Sequence, residues 1–185
     1  MEKTGKQAVS TAEMAKIAVS AVIIAICAWI TIPLGAVPFT LQTFGFFMVT
    51  LVLGWKNGLY AILLYLLMGA VGLPVFSGMK GGIGVLFGTT GGYLMAAAAI
   101  PLLYGGMTRL FGKKLWARGA GLLLGDLLVF IFGTIWFMIA YGAKNGAVSL
   151  SDALAWCVLP FIIPDLIKLA AALAAGPRIE KVTKV

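Results

Sequence analysis

Long apolar runs separated by short turns dominate this sequence and restrict the folds that it can adopt. Of its 185 residues 62% are hydrophobic and only 11% are charged, which is more apolar surface than a water-soluble core can bury. About 20 apolar residues suffice for a helix to cross the hydrocarbon of a bilayer. The sequence therefore predicts an all-α integral membrane protein, a single domain over 1–185 with six transmembrane helices at 12–32, 39–54, 59–75, 93–107, 119–141 and 160 to about 175.

Two opposite charges stand in the last apolar run. Asp165 and Lys168 are three residues apart, so they share one face of a helix, and Pro160 and Pro164 suit its opening turns. An ionisable side chain in a membrane-spanning helix costs roughly 2.5–3.5 kcal/mol on insertion scales and normally faces a cavity, a partner or a ligand. We predict that the pair binds a small molecule with hydrogen-bond donors and acceptors; a salt bridge that serves only itself is the alternative.

Residues 76–92 are the second unusual stretch. Seven of these 17 positions are glycine, and Lys80 carries the only charge. Glycine is unfavourable inside a helix by about 1 kcal/mol relative to alanine, whereas an ordinary connector would be more polar. We expect a glycine-rich outer loop between helices 3 and 4 that approaches a bound molecule closely and caps it.

The basic residues predict an orientation. If both termini are cytoplasmic, eleven lysines and arginines lie in or next to the inner segments, and the outer segments keep only Lys80 and Lys144, as the positive-inside rule requires. We expect a multi-pass protein of the cell membrane with a cytoplasmic N-terminal segment at 1–11 and a basic cytoplasmic tail at 177–185. Asp126, close to the basic turn, is expected to pair with a nearby arginine or lysine or with a neighbouring helix, at a depth opposite to that of Asp165.

Several function classes lack their characteristic residues. The sequence has no P-loop spacing and no histidine, and its two cysteines, Cys27 and Cys157, form neither a disulfide framework nor a metal-ligand pattern. Its basic residues do not alternate with aromatics as in a nucleic-acid-binding stripe. We predict no enzymatic activity, no metal, no cofactor and no nucleic-acid partner. An ion-coupled secondary carrier for a small carboxylated solute is the alternative, although we find no internal repeat.

Four motifs are weak singly and specific together. They are Val37-Pro-Phe-Thr-Leu-Gln42-Thr-Phe44, Gly72-Leu-Pro-Val-Phe-Ser-Gly78, Gly81-Gly82-Ile-Gly84-Val-Leu-Phe87-Gly88 continuing to Thr90-Gly91-Gly92-Tyr93, and Pro164-Asp165-Leu-Ile-Lys168. With them nearly the whole chain resembles the BioY family, the biotin-binding S-components of energy-coupling-factor (ECF) vitamin transporters. Thr89 stands where that family usually has proline, a difference that affects the capping loop and not the charged pair.

The resemblance implies high-affinity capture of biotin near the outer face and its uptake into the cell. Asp165 and Lys168 match the family's charged pair on the last helix, and Lys80 is our candidate partner for the carboxylate of biotin. The other residues expected to bind substrate are Gln42, Gly82, Phe87 and Tyr93.

The resemblance also implies partner proteins. These are the transmembrane coupling subunit of an ECF transporter and two ATPase subunits, which alone would use ATP. Ala21 and Ala25 put small side chains one helical turn apart in the first run, and the resemblance implies that they dock on the coupling subunit. Ordinary alanine packing within the chain is the alternative.

Overall fold

The protein is a bundle of helices with one very short pair of strands, described here from a computed structural model that covers residues 10–33 and 37–183. The predicted segments at 1–11 and 177–185 therefore lie partly outside the described residues. The elements are α1 (Thr11–Trp29), β1 (Thr31–Ile32), β2 (Phe39–Thr40), α2 (Gln42–Ala70), α3 (Ile83–Leu86), α4 (Gly91–Ala96), α5 (Ala99–Phe111), α6 (Leu115–Asn145), α7 (Leu150–Cys157) and α8 (Leu159–Thr183).

The prediction of a helical membrane fold is confirmed. In the described part of the chain five helical stretches are long and apolar enough to cross a membrane: Thr11–Trp29, Gln42–Ala70, Gly91–Phe111, Leu115–Asn145 and Leu150–Thr183. The second and third predicted spans both fall within or beside α2, which is broken inside at Gly54, where φ is 78° and ψ is 174°. Glycine adopts this backbone conformation without the steric penalty that a side chain would bring.

A hairpin replaces the helix ends that we predicted around residues 30–40. Thr31 pairs with Thr40 and Ile32 pairs with Phe39 in an antiparallel ladder. The first helix therefore ends at Trp29 and not at residue 32, and the second begins at residue 42 and not at 39. Pairing across the hairpin satisfies backbone groups that would otherwise be left unbonded after a helix end.

The last helix is longer than predicted. We expected it to end at residues 176–177, but α8 continues to Thr183, so the described part of the predicted tail is helical. Glu180 accepts a hydrogen bond from the guanidinium of Arg118 at 2.7 Å. The Lys16 ammonium donates to the carbonyl of Thr183, also at 2.7 Å. These contacts hold the end of α8 against α6 and α1 beyond Pro177, a residue that cannot donate a backbone hydrogen bond.

Helix α6 approaches the bundle closely along its glycines. A Cβ atom at Gly121 would come within 2.7 Å of the Tyr104 Cα atom, and one at Gly125 within 2.5 Å of the Ile100 Cα atom. Real side chains do not tolerate such distances, so the backbones of α5 and α6 touch here because both positions are glycine. This contact turns the next residue, Asp126, toward the interior of the bundle, where it is buried.

The two ends of the bundle differ in charge. One end contains the start of α1, the break in α2, the turn from α5 to α6 and the end of α8, joined by contacts such as that of the Arg109 guanidinium with the Trp55 ring at 4.2 Å. Most of the described lysines and arginines lie there. The opposite end carries Lys80 and Lys144, and its contacts include the Trp29 indole N–H, which donates to the carbonyl of Pro74 at 2.8 Å.

Candidate functional site

A cavity of about 470 Å³ lies at the less basic end of the bundle, beneath residues 76–92. This volume falls in the range of about 300–1,000 Å³ that is usual for small-molecule sites. Its walls come from α2, α4, α6 and α8 and from the hairpin, and they include several aromatic side chains, among them Phe46, Phe76, Phe130 and Phe161. Its polar and charged lining residues include Gln42, Lys80, Tyr93, Asp126, Asp165 and Lys168.

The predicted charged pair lies in this cavity. The Lys168 ammonium donates to Asp165 Oδ1 at 2.6 Å, and only 6% and 8% of the two side chains are exposed. The first turns of α8 place both residues on one helical face, since they are three positions apart. Buried charges of this kind are expected to be paired and hydrogen-bonded, and the pair offers an acceptor and a donor to a molecule in the cavity.

An aromatic ring that the sequence analysis did not assign to the site completes the surroundings of Lys168. Its Nζ atom lies 4.3 Å from the centre of the Phe39 ring, a distance typical of a cation–π interaction. Phe39 belongs to β2, and its pairing with Ile32 holds the ring above the ammonium. The sequence motif at 37–44 contains Phe39, but only Gln42 of that motif was predicted to bind substrate.

Gln42 lies at the start of α2 and lines the same cavity. Its amide nitrogen donates to the Tyr65 hydroxyl at 3.0 Å, and both side chains are buried. Tyr65 lies in the other half of α2, beyond the break at Gly54. The break therefore allows the two halves of α2 to contact each other. Among the described contacts the Gln42 carbonyl oxygen has no donor, which leaves it available to a molecule in the cavity.

The predicted substrate-binding residues between positions 80 and 93 divide into two groups. Lys80 and Tyr93 line the cavity, and the Tyr93 hydroxyl lies 3.1 Å from the Thr134 hydroxyl. Gly82 and Phe87 do not line it. The Gly82 N–H donates to the carbonyl of residue 69 at 2.7 Å, and the Phe87 side chain is 65% exposed.

Asp126 contradicts our expectation. We placed it at a depth opposite to that of Asp165, yet both residues line one cavity. Two features of the structure explain this position. Helix α6 begins at residue 115 and not at 119, and Arg118, the basic residue nearest to Asp126 in the sequence, pairs with Glu180. Asp126 therefore lies eleven helical steps, or about 17 Å, inside α6.

Ala21 and Ala25 face the interior of the protein. Their exposures are 0% and 2%, and they belong to the core cluster that α1 shares with α2. The structure thus places them in packing within the chain and not on its free surface. A small-residue stripe allows close helix packing whether the second helix is in the same chain or in another.

The fold and the cavity define a class: a multi-pass helical membrane protein with a charged cavity of a size that suits a small molecule. Comparison with known proteins defines it further. All of residues 1–185 match the BioY family, and the chain belongs to that family. Membership makes it a transport protein and not an enzyme.

Several relatives extend over nearly the full chain. The probable biotin transporter BioY of Pyrococcus horikoshii is 36% identical over 168 residues, covering 91% of this chain and 96% of the relative. The biotin transporter BioY of Thermotoga maritima is 36% identical over 169 residues, with coverage of 91% and 96%. A crystal structure of the S-component for biotin from an ECF-type ABC transporter superposes with a TM-score of 0.80 at 27% identity, covering 91% of this chain and 90% of that one.

Proposed function

We propose that this protein captures biotin and serves its uptake as the substrate-specific S-component of an ECF transporter. The observation that carries the proposal is the Asp165–Lys168 pair, buried in a cavity of about 470 Å³. The ureido ring of biotin presents two N–H donors and one carbonyl acceptor. Asp165 accepts from one N–H and Lys168 donates to the carbonyl, while aromatic walls such as Phe46 and Phe161 contact the apolar parts of the molecule.

We propose that residues 76–92 cap the bound molecule and that Lys80 pairs with its carboxylate. Lys80 is an exposed residue that lines the cavity, and its carbonyl accepts the N–H of Phe76 at 2.9 Å. This backbone contact fixes the base of the side chain at the rim. Gln42 and Tyr93 also line the cavity and are proposed to contact biotin, whereas for Gly82 and Phe87 substrate binding stays a prediction that no cavity contact supports.

We propose six membrane crossings, in which the parts of α2 before and after Gly54 each cross once. They contain about 13 and 16 residues, or roughly 20 and 24 Å of helix. In the proposed orientation both termini are in the cytoplasm and the protein lies in the cell membrane, because the more basic end is then inside. Single cysteines introduced at Lys113 and Met79 should react with an impermeant thiol reagent from opposite sides of the membrane.

We propose that the protein works with an ECF transmembrane coupling subunit and two ATPase subunits. The support is its fold similarity to the S-component structure described above. Ala21 and Ala25 can meet the coupling subunit only if α1 moves away from α2. A large side chain at either position would therefore disturb the packing of α1 against α2 in this chain, whether or not it also disturbs docking.

Titration calorimetry of the purified protein in detergent tests the capture of biotin. We expect one biotin to bind per chain without dependence on sodium or potassium, and riboflavin to give no heat. Asp165→Asn and Lys168→Met should each weaken binding by about 10- to 150-fold, since a hydrogen bond to a charged group contributes about 1.5–3 kcal/mol. Folded wild-type protein that does not bind biotin would exclude the proposal, and ion-dependent binding would favour a secondary carrier.

The role of Lys80 has its own test. Lys80→Ala should weaken binding of biotin but leave binding of biotin methyl ester unchanged, because the ester has no charge to pair. Lys144→Ala is the matched control, a lysine at the same end of the bundle that does not line the cavity. Equal affinities of wild type and Lys80→Ala for both ligands would reject the assignment.

A further inference from the structure

Asp126 is a buried acid in the cavity to which the proposed function gives no role. It is 5% exposed and lines the cavity together with Asp165 and Lys168. In the described part of the chain it makes no hydrogen bond or ion pair. An unpaired carboxylate in the middle of a membrane-spanning helix is costly, and such groups are functional candidates by default.

Asp126 can find a polar partner only on the side that faces the cavity. On its other side lies an apolar cleft between α6 and α8, where Asp126 is joined by leucines and isoleucines such as Leu127, Ile131 and Leu166. Those side chains are exposed on the surface of spanning helices, where hydrocarbon offers no hydrogen-bond donor. A donor for Asp126 must therefore come from the cavity.

Nearby cations do not supply that donor. Lys168 lines the same cavity, but its ammonium donates to Asp165 at 2.6 Å and lies over the Phe39 ring. Arg118, on the same helix, hydrogen-bonds to Glu180. Asp126 thus remains an acceptor that a bound molecule can satisfy.

We propose that Asp126 is a third ligand-binding side chain of this site, which accepts the ureido N–H that Asp165 does not engage. The inference deepens the proposed function and rests on it. A cyclic urea presents an N–H, a carbonyl and a second N–H, and the cavity then presents a carboxylate, an ammonium and a second carboxylate. Both N–H groups would be bound by charged acceptors, and charge-assisted hydrogen bonds are the stronger kind.

The test uses three ligands and measures their affinities by calorimetry. The ligands are biotin and two cyclic carbamates, in each of which one ureido N–H is replaced by an oxygen atom, so that a donor is lost without added bulk. Wild type should bind both carbamates about 10- to 100-fold more weakly than biotin. Asp126→Ala should lose a similar factor in affinity for biotin and for one of the carbamates. For the other carbamate, which lacks the N–H that Asp126 binds, the substitution should cause no further loss of affinity.

Asp126→Asn and Asp152→Asn serve as companion variants. Asp126→Asn keeps an acceptor of nearly the same shape and should lose less affinity than Asp126→Ala, whereas Asp152→Asn, on the exposed start of α7, should bind as wild type. Equal losses for all three ligands would overturn the inference, as would an unchanged affinity of Asp126→Ala for biotin. If the alanine variant does not fold, wild-type affinity for one carbamate equal to that for biotin overturns it as well. Wild type that binds no biotin would refute the proposed function itself, and the inference with it.

Discussion

Breaking the buried ion pair from its two sides should have unequal consequences for stability. Lys168→Met leaves Asp165 in the cavity with Asp126, two carboxylates and no partner cation from α8, and also removes the contact with the Phe39 ring. Loss of one partner of a buried pair costs about 3–5 kcal/mol, and a cation–π contact contributes about 0.5–2 kcal/mol. Asp165→Asn is milder, at about 1–3 kcal/mol, because Asp126 remains as a countercharge for the ammonium.

The double variant Asp165→Asn/Lys168→Met should recover much of the stability that Lys168→Met loses. Replacing both members of a buried ion pair by neutral groups is often close to neutral, since neither charge has to be desolvated. The double variant should nevertheless bind biotin at least as weakly as either single variant. Recovered stability without recovered binding would separate the structural role of the pair from its proposed role in capture.

Thermal unfolding in detergent, followed by tryptophan fluorescence, measures these differences. For a chain of this length one kcal/mol corresponds to about 2–4 °C in Tm, so the combined loss of about 3.5–7 kcal/mol in Lys168→Met should lower Tm by roughly 7–28 °C. Lys144→Met, which removes an exposed lysine, should leave Tm nearly unchanged. The reasoning is refuted if Asp165→Asn destabilises more than Lys168→Met, or if the double variant is as unstable as Lys168→Met.

Three other substitutions test the packing. Ala25→Trp should prevent accumulation of folded protein because Ala25 is 2% exposed between helices, whereas Val22→Trp, at a position that is 47% exposed, should give nearly wild-type yields in size-exclusion chromatography. Gly69→Ala places a methyl group against the ring of Phe76, and such overpacking should cost about 1–3 kcal/mol, visible as a lower Tm, together with weaker biotin binding, since that ring lines the cavity. Glu180→Gln leaves a buried guanidinium without its carboxylate and should cost about 3–5 kcal/mol; a Tm within 2 °C of wild type would contradict it.

The sequence predicted those parts of the site that follow from local periodicity. Asp165 and Lys168 share a helical face at any tilt or depth, since their spacing alone decides it. The difference in charge between the two ends also follows from counting residues between apolar runs. Five of the seven predicted substrate-binding residues line the cavity. Of these, Gln42 and Tyr93 were selected from motifs, and Lys80 was selected as the only charge in the glycine-rich stretch.

What the sequence did not predict depends on contacts between distant segments. The depth of Asp126 depends on where α6 begins and on which acid Arg118 selects, namely Glu180, 62 positions away. The place of Phe39 above Lys168 depends on strand pairing with residue 32. The direction in which Ala21 faces depends on which helix packs against α1, and a pattern of small residues does not specify the partner.

The contacts that hold each end of the bundle together indicate which end opens more readily. At the basic end α6 and α8 are joined by the buried Arg118–Glu180 ion pair, and separating such charges costs several kcal/mol. At the cavity end residues 76–92 are held by neutral hydrogen bonds: the Trp136 indole N–H donates to the carbonyl of Gly88 at 2.9 Å, and the hydroxyls of Thr31 and Ser77 lie 3.1 Å apart. Each of these contributes about 0.5–1.5 kcal/mol net. We therefore expect residues 77–90, which follow the buried Phe76, to move aside more readily than the helices separate at the basic end, so that a molecule can enter the cavity while the bundle beneath it keeps its packing.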